Sequence, residues 1–146
     1  MSYPALFLDR DGIFNELVFR DGGVHSPRNW GEVKHFPVEG INQIKDLGFK
    51  LVLVTNQPDI ERNIISKEFV DELNRHYQNS YGLDRVYVSP FASNDHFMKK
   101  PNPGMFFAAK LDLDLDFSKS FLLGDTEKEQ NEETASDYVL RKSLSH

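Results

Sequence analysis

The sequence predicts an α/β fold built on an open parallel sheet. Four short apolar runs, rich in Val, Leu, Phe or Tyr, do not alternate cleanly with polar residues. That pattern is typical of strands covered on both faces of a sheet. Segments with helical periodicity lie between these runs, and alternating strands and helices favour a parallel sheet with right-handed crossovers.

The predicted elements follow one another along most of the chain. The predicted strands are Ala5–Leu8, Lys50–Val54, Arg85–Val88 and Phe121–Leu123. The predicted helices are Val38–Leu47, Lys67–Tyr81 and Pro103–Leu111. Ser66 is placed to cap the second helix, and Pro103 suits the first turn of the third. Tyr138–Leu140 fits either a fifth, edge strand or the start of a final helix.

The length of 146 residues predicts a single domain, 1–146, with one substantial core. Residues 17–37 contain Gly, Pro, Asn and Asp without a convincing long helix, so we expect an ordered loop or small flap there. The first residues lack the basic start and long apolar stretch of a signal peptide. No segment approaches the length that would cross a bilayer, so we expect no membrane association.

Charge and cysteine content narrow the class of protein. The formal net charge is -6, with acidic and basic residues interspersed, which disfavours general nucleic-acid binding. A phosphate-binding enzyme remains possible, because a local metal or lysine outweighs the global charge. The chain has no cysteine, which excludes disulfides and thiolate–metal sites and fits a cytoplasmic location.

Polar residues stand where ligands bind in open α/β sheets, just beyond the carboxyl ends of the strands. We expect them to converge on one edge of the sheet. They are Asp9 and Asp11 after the first strand, Thr55, Asn56 and Gln57 after the second, Gly124 and Asp125 after the fourth, and Lys99 and Lys100 before the third helix.

These residue types suit a phosphoryl group bound together with Mg²⁺. Carboxylate and carbonyl oxygens are the ligands that Mg²⁺ prefers. A hydroxyl, backbone N–H groups and a lysine bind phosphate oxygens, and a second carboxylate can carry a proton to the leaving oxygen. Each motif alone has an ordinary explanation, as a turn, a solvated surface or a helix start. Their occurrence together, each at the same end of its strand, favours a shared site.

Four segments resemble the motifs of the haloacid dehalogenase (HAD) superfamily of phosphohydrolases: "FLDRDG", "VTNQPDIER", "KKPNPGM" and "LLGDTEKE". The resemblance runs from about Leu6 to Ala135. More narrowly, it points to the branch that contains heptose bisphosphate and histidinol-phosphate phosphatases. It implies a HAD-like Rossmannoid three-layer sandwich with a central parallel sheet. The intervals between the motifs leave no room for a separate cap domain, so we expect an open active site.

The resemblance also implies roles for individual residues. Asp9 would be the nucleophile that forms an aspartyl-phosphate. Asp11 would protonate the leaving alcohol and later activate water, and its backbone carbonyl would contact the metal. Asp9, Asp11 and Asp125 would together hold Mg²⁺.

The remaining matches concern phosphate and substrate. Thr55 and Asn56 would hold the phosphoryl oxygens, and Lys100 would neutralise charge on the nucleophile and the phosphate. Lys99 and Arg62 would contact substrate. Together with Arg28, they offer positive charge to a second phosphate or another anionic group.

Two departures from the family pattern stand out. Relatives of this branch carry a Cys/His loop that binds Zn²⁺, whereas "SPFASNDHFMKKP" has His96 but no cysteine. We therefore expect no structural Zn²⁺ and a loop held by packing of Phe91 and Phe97. Glu129 stands where many members of the superfamily have Asp, which leaves its support of the metal site open.

Several functions are compatible with these residues. The leading hypothesis is a Mg²⁺-dependent phosphomonoesterase that acts on a small phosphorylated metabolite, most simply a heptose or other sugar phosphate or bisphosphate. Histidinol phosphate is the alternative substrate. A catalytically inactive HAD-fold binding protein and a receiver-like phosphorelay domain are alternatives of a different class. We expect a monomer or weak homo-oligomer.

Overall fold

A computed structural model describes residues 2–124 of the protein. A sheet of four parallel strands forms its centre. In chain order the strands are β1 (Ala5–Leu8), β2 (Val18–Arg20), β3 (Gly23–His25), β4 (Lys50–Asn56), β5 (Arg85–Ser89) and β6 (Phe121–Leu123). The central sheet has the order β5-β4-β1-β6, and β2 pairs with β3 in a separate antiparallel hairpin. The predicted parallel sheet is confirmed.

Helices cover both faces of this sheet. They are α1 (Ile41–Asp46), α2 (Lys67–Tyr81) and α3 (Gly104–Leu113). Alternate side chains of a strand point to opposite faces, so β4 contributes to two cores. Val52 and Val54 share one buried cluster with Phe106 of α3, and Leu51 and Leu53 share the other with residues of α2. The predicted three-layer sandwich is confirmed.

The boundaries of α2 agree with the prediction from the sequence. Its first turn is capped by Ser66, whose hydroxyl oxygen accepts a hydrogen bond from the Phe69 N–H at 3.1 Å. The predicted first helix is shorter than expected. It begins at Ile41 because Gly40, with φ of 85°, has a left-handed conformation that a helix cannot include.

The bounds of β1 and β6 also agree with the prediction, and those of β4, β5 and α3 shift by one or two residues. Strands β4 and β5 continue to Asn56 and Ser89, because these two residues still pair with each other across the parallel ladder. Helix α3 begins at Gly104 and continues to Leu113, where Asp114 follows in the left-handed region with φ of 53°. The strand ends therefore place Asn56, Gln57 and Ser89 at the edge of the sheet.

Residues 17–37, which we expected to form an ordered loop or small flap and call the flap here, contain the β2–β3 hairpin and a 3-10 turn at Trp30–Glu32. Arg20 pairs with Glu32 at 2.8 Å, and the Trp30 indole N–H donates to Glu72 of α2 at 3.2 Å. Within residues 2–124, the intervals between the motifs hold only this flap, α1, α2 and β5 with their connecting loops. A separate cap domain is absent from that part of the chain.

Two further predictions concern membrane-spanning helices and the segment Tyr138–Leu140. None of the helices in residues 2–124 combines the length and the apolar character that a membrane span requires. The predicted strand or helix at Tyr138–Leu140 lies outside the described residues.

Candidate active site

The register of the sheet brings the ends of three strands side by side. Leu8, the last residue of β1, pairs with Leu53 of β4 and with Leu123 of β6. The Asp9 N–H continues the ladder by donating to the Leu123 carbonyl at 3.1 Å. Residues that follow these strands therefore meet at the carboxyl edge of the sheet, which is where open α/β proteins bind ligands.

Asp9 lies beside Lys100 at this edge. The Lys100 Nζ is 3.3 Å from the Asp9 Oδ1, and the same oxygen accepts from the Arg10 N–H at 2.8 Å. The Asp9 side chain is 16% exposed and that of Lys100 is 6% exposed. A lysine that is 91 positions away in the chain thus faces the carboxylate in a nearly dry environment, where their attraction is stronger than in water.

Asp11 is held from several directions. Its Oδ1 accepts from the Arg10 Nε and from the Asn15 amide, both at 3.0 Å. Its Oδ2 accepts from the Gln57 amide at 3.1 Å and from the Ser26 hydroxyl in a short contact. Burial raises the pKa of Asp11, but the Arg10 charge and the hydrogen bonds outweigh it, so the pKa lies below its ordinary value. The ionised form is thus stabilised in one orientation.

Arg10, between the two aspartates, is a buried arginine that the sequence-based site did not include. It is fully buried, and its Nη2 lies 2.9 Å from the Asp11 Oδ1. Its Nη1 donates to the Asn74 Oδ1 of α2 at 3.2 Å. Asn74 is 3% exposed and lies on the apolar stripe of α2 with Val70, Leu73 and Tyr77. The position of Asn74 on this apolar stripe is the feature of the sequence that indicates a buried polar partner, which is Arg10.

Thr55 and Gln57 form a buried chain of hydrogen bonds that ends at Asp11. Both residues are fully buried. The Gln57 amide donates to the Thr55 hydroxyl oxygen at 2.9 Å and to the Asp11 carboxylate at 3.1 Å. Thr55 is therefore brought to the same edge as the acids, as the sequence predicted. Gln57 connects the ends of β1 and β4.

Asn56 contacts the backbone of Lys100 with its side chain. Its Oδ1 accepts from the Lys100 N–H at 3.0 Å, and its Nδ2 donates to the Lys100 carbonyl at 2.9 Å. The predicted role of Asn56 was to bind phosphoryl oxygens. In this structure both ends of its amide instead fix the chain segment that carries the lysine.

Lys99 takes part in the loop that precedes α3. Its ammonium group donates to the Ala92 carbonyl at 2.8 Å, and the residue is 8% exposed. Phe91 stacks on the His96 ring at 3.4 Å between centroids, and Phe97 stacks on Phe107 at 6.2 Å. The expected packing of Phe91 and Phe97 is present. The sequence did not indicate the additional hydrogen bond from the buried Lys99 to the Ala92 carbonyl.

Arg62 forms an ion pair with Asp59 at 3.0 Å, at the edge of a cavity that also includes Ser26 and Gln57. Arg28 is not among the residues that line this cavity, and its backbone N–H donates to Glu32 at 2.8 Å. Of the three basic residues predicted to meet a second anion, Arg62 therefore lines this cavity, which lies next to Asp11.

The donor atoms at this edge are oxygens suited to Mg²⁺. Asp9 offers a carboxylate, and Asp11 offers a backbone carbonyl, since its side chain is taken by protein donors. Within residues 2–124, no group of three or more His, Cys, Asp or Glu side chains is arranged to hold a metal. Asp125, which was predicted to hold the metal, and Glu129, whose support of the metal site was left open, lie outside the described residues.

Known proteins are similar to this chain in sequence and in fold. A family model described as polynucleotide kinase 3 phosphatase matches residues 15–141. D-glycero-beta-D-manno-heptose-1,7-bisphosphate 7-phosphatases from Photorhabdus laumondii and Helicobacter pylori are 34% and 32% identical, over 84% and 86% of this chain. The matches cover 70% and 74% of those two relatives.

Solved structures give the same result for the fold. A protein from Mesorhizobium loti described as HAD-like superimposes with a TM-score of 0.72 at 27% identity, over 97% of this chain and 69% of that one. The D,D-heptose 1,7-bisphosphate phosphatase of B. bronchiseptica, complexed with magnesium and phosphate, superimposes with a TM-score of 0.70 at 20% identity. That match covers 97% of this chain and 86% of the other.

Proposed function

The chain belongs to the haloacid dehalogenase superfamily of phosphatases, and on that premise we propose that it hydrolyses phosphomonoesters of small polar metabolites through an aspartyl-phosphate on Asp9. As a substrate we propose a heptose or other sugar phosphate or bisphosphate, because curated relatives at 34% identity are named for a heptose bisphosphate. Histidinol phosphate is the alternative. The observation that carries the proposal is the 3.3 Å approach of the Lys100 Nζ to the Asp9 Oδ1.

In the first step an Asp9 carboxylate oxygen attacks the phosphorus, and the bond from phosphorus to the leaving oxygen breaks. Lys100 offsets the negative charge that gathers on the nucleophile and the phosphoryl group. The Asp11 carboxyl group gives its proton to the leaving oxygen, so the alcohol departs neutral. Arg10, Asn15, Ser26 and Gln57 then stabilise the resulting Asp11 carboxylate.

In the second step a water molecule attacks the same phosphorus. Asp11 accepts a proton from that water, and the bond from phosphorus to Asp9 breaks. The products are inorganic phosphate, a free Asp9 carboxylate and a protonated Asp11, ready for the next substrate. Because the pKa of Asp11 is lowered, its protonated form is a stronger acid in the first step and its carboxylate is a weaker base in the second. A phosphate dianion bound beside Asp11 would favour the protonated form that the first step requires.

We further propose that Mg²⁺ assists this reaction. The residues that would hold it are Asp9, through its carboxylate, Asp11, through its backbone carbonyl, and Asp125. When bound, Mg²⁺ supplies positive charge next to the phosphoryl oxygens. Lys100 and the divalent cation would then share the neutralisation of a phosphate dianion.

A screen for phosphate release tests the proposal. The substrates are sugar monophosphates and bisphosphates, histidinol phosphate, nucleotides and an oligonucleotide with a 3′-phosphate, each with Mg²⁺ and after treatment with a chelator. We expect release from small polar phosphomonoesters, loss with the chelator and recovery on addition of Mg²⁺. Release confined to the oligonucleotide would contradict the proposed substrate class, and full activity after chelation would contradict the role of Mg²⁺.

A further inference from the structure

A cavity of about 250 Å³ lies beside Asp11. Ser26 and Gln57 line it, and both also donate a hydrogen bond to the Asp11 Oδ2. Through these two residues the cavity is adjacent to the group that would protonate the leaving oxygen. Its volume is below the roughly 300–1,000 Å³ of cavities that hold drug-sized ligands, so it suits a metabolite.

The lining of this cavity is polar and carries one ion pair. Val24 and Pro58 are its apolar members, whereas His25, Ser26 and Gln57 offer hydrogen-bonding groups. The charges are those of Asp59 and Arg62, whose Oδ1 and Nη1 are 3.0 Å apart.

The two charged side chains differ in their exposure. That of Asp59 is 14% exposed and that of Arg62 is 49% exposed. Arg62 is therefore accessible to a ligand, but it is already paired with a carboxylate that is mostly buried and held close to it. An anionic group that approached Arg62 would have to compete with Asp59 and would be repelled by it.

We propose that this cavity receives the alcohol portion of the substrate and that Asp59 determines its charge preference by pairing with Arg62. The inference rests on the proposed function and narrows it. Uncharged hydroxyl groups can donate to Asp59 and accept from Arg62 without separating the pair. A second phosphate gains less from Arg62 than it would from an unpaired arginine, so Asp59 lowers the advantage of a bisphosphate over the matching monophosphate.

The test compares two ligands that differ by one phosphate, glucose 6-phosphate and glucose 1,6-bisphosphate. Each is measured as a competitive inhibitor of p-nitrophenyl phosphate hydrolysis, and its binding is measured by calorimetry. The proteins are the wild type, Asp59→Asn, Arg62→Met and the double variant. Asp46→Asn is the control, since Asp46 is an exposed acid on α1.

We expect Asp59→Asn to shift the ratio of the two inhibition constants toward the bisphosphate by about two- to fivefold, the range of exposed ion pairs. Arg62→Met should remove that shift in the double variant, and Asp46→Asn should leave the ratio unchanged. An unchanged ratio in Asp59→Asn, or an equal shift without Arg62, would overturn the proposal. So would the absence of binding of either sugar.

Failure of the proposed function gives a different result. A wild-type protein that does not hydrolyse p-nitrophenyl phosphate, with or without Mg²⁺, contradicts the proposed phosphatase activity. Calorimetry with the same two sugars still tests Asp59 in that case, because it measures binding and needs no turnover.

Discussion

The side-chain amide of Asn56 forms two hydrogen bonds with the backbone of Lys100, one as acceptor and one as donor. The two residues are 44 positions apart in the chain. Asn56 ends β4, a central strand, whereas Lys100 lies in the loop before α3. The two hydrogen bonds therefore attach the loop to the central sheet. This loop carries the Lys100 ammonium group, which lies next to Asp9. Asn56 acts on the site through the position of Lys100.

Substitution of Asn56 by alanine should misplace Lys100. Loss of two hydrogen bonds in a partly buried position corresponds to about 1–3 kcal/mol, and an equal loss of transition-state stabilisation lowers kcat by roughly 5- to 150-fold. Steady-state kinetics and thermal unfolding measure the two effects. The exposed Asn42 on α1 provides the control, Asn42→Ala. Wild-type kinetics in Asn56→Ala would contradict the role assigned to this amide.

Replacement of Asp9, the proposed nucleophile, should abolish turnover while the fold persists. Asp9→Asn keeps an oxygen that can accept from the Arg10 N–H but cannot form the aspartyl-phosphate. We expect phosphate release to fall by on the order of a thousandfold or more, as it does when a covalent nucleophile is removed from other enzymes. Circular dichroism checks the fold, and acid-quenched labelling detects phosphoenzyme. Activity that survives in Asp9→Asn would show that the assigned mechanism is wrong.

The contact between Arg10 and Asn74 should matter for both stability and catalysis. Asn74→Ala leaves the buried Arg10 Nη1 without its acceptor, which costs about 1–3 kcal/mol of unfolding free energy. Because Arg10 positions Asp11, we also expect a larger loss of activity for a poor alcohol leaving group than for p-nitrophenol, which departs without a proton.

Urea unfolding and kinetics with the two kinds of substrate measure these effects. Asn79→Ala is the matched control, because Asn79 lies exposed on the same helix. An equal loss of activity with both leaving groups would indicate that Asn74 supports only the fold.

Acid should loosen the flap. The hydrogen bond from Arg20 and that from the Arg28 N–H hold the pKa of Glu32 below its ordinary value of 4.5. The pKa is lower in the folded state than in the unfolded chain. The carboxylate therefore stabilises the flap fully above the ordinary pKa, and this contribution is lost as the pH falls through the lowered one.

Trp30 reports on this transition, since it is the single tryptophan of the chain and lies in the flap. We expect its fluorescence to change below about pH 4.5, the ordinary pKa of Glu32, in the wild type. Glu32→Gln should lack that acid-dependent step, whereas Glu39→Gln, at an exposed position, should retain it. If Glu32→Gln retains the acid-dependent change in Trp30 fluorescence, a titratable group other than Glu32 causes the transition.

Much of the sheet and of the site could be predicted from local patterns. The strand Ala5–Leu8 and the helix Lys67–Tyr81 have the bounds that hydrophobic periodicity and the Ser66 cap indicated. Asp9, Thr55 and Lys100 were predicted to share one edge because parallel strands present their carboxyl ends together. Their placement at one edge follows from the alternation of strands and helices, which predicts a parallel sheet.

The hydrogen-bond partners within the site could not be predicted in the same way. Asn56 and Lys99 were both expected to meet the ligand, yet the structure shows their side chains bound to the backbone of Lys100 and of Ala92. Arg10 was absent from the predicted site, although it is fully buried against Asp11.

By itself the sequence determined which residue types stand at the ends of the strands, because burial of apolar side chains imposes a pattern that neighbouring residues reveal. Only the tertiary structure decided which atoms these side chains contact. A hydrogen bond depends on tenths of an ångström between groups such as Arg10 and Asn74, 64 positions apart, and that distance results from the packing of the whole domain.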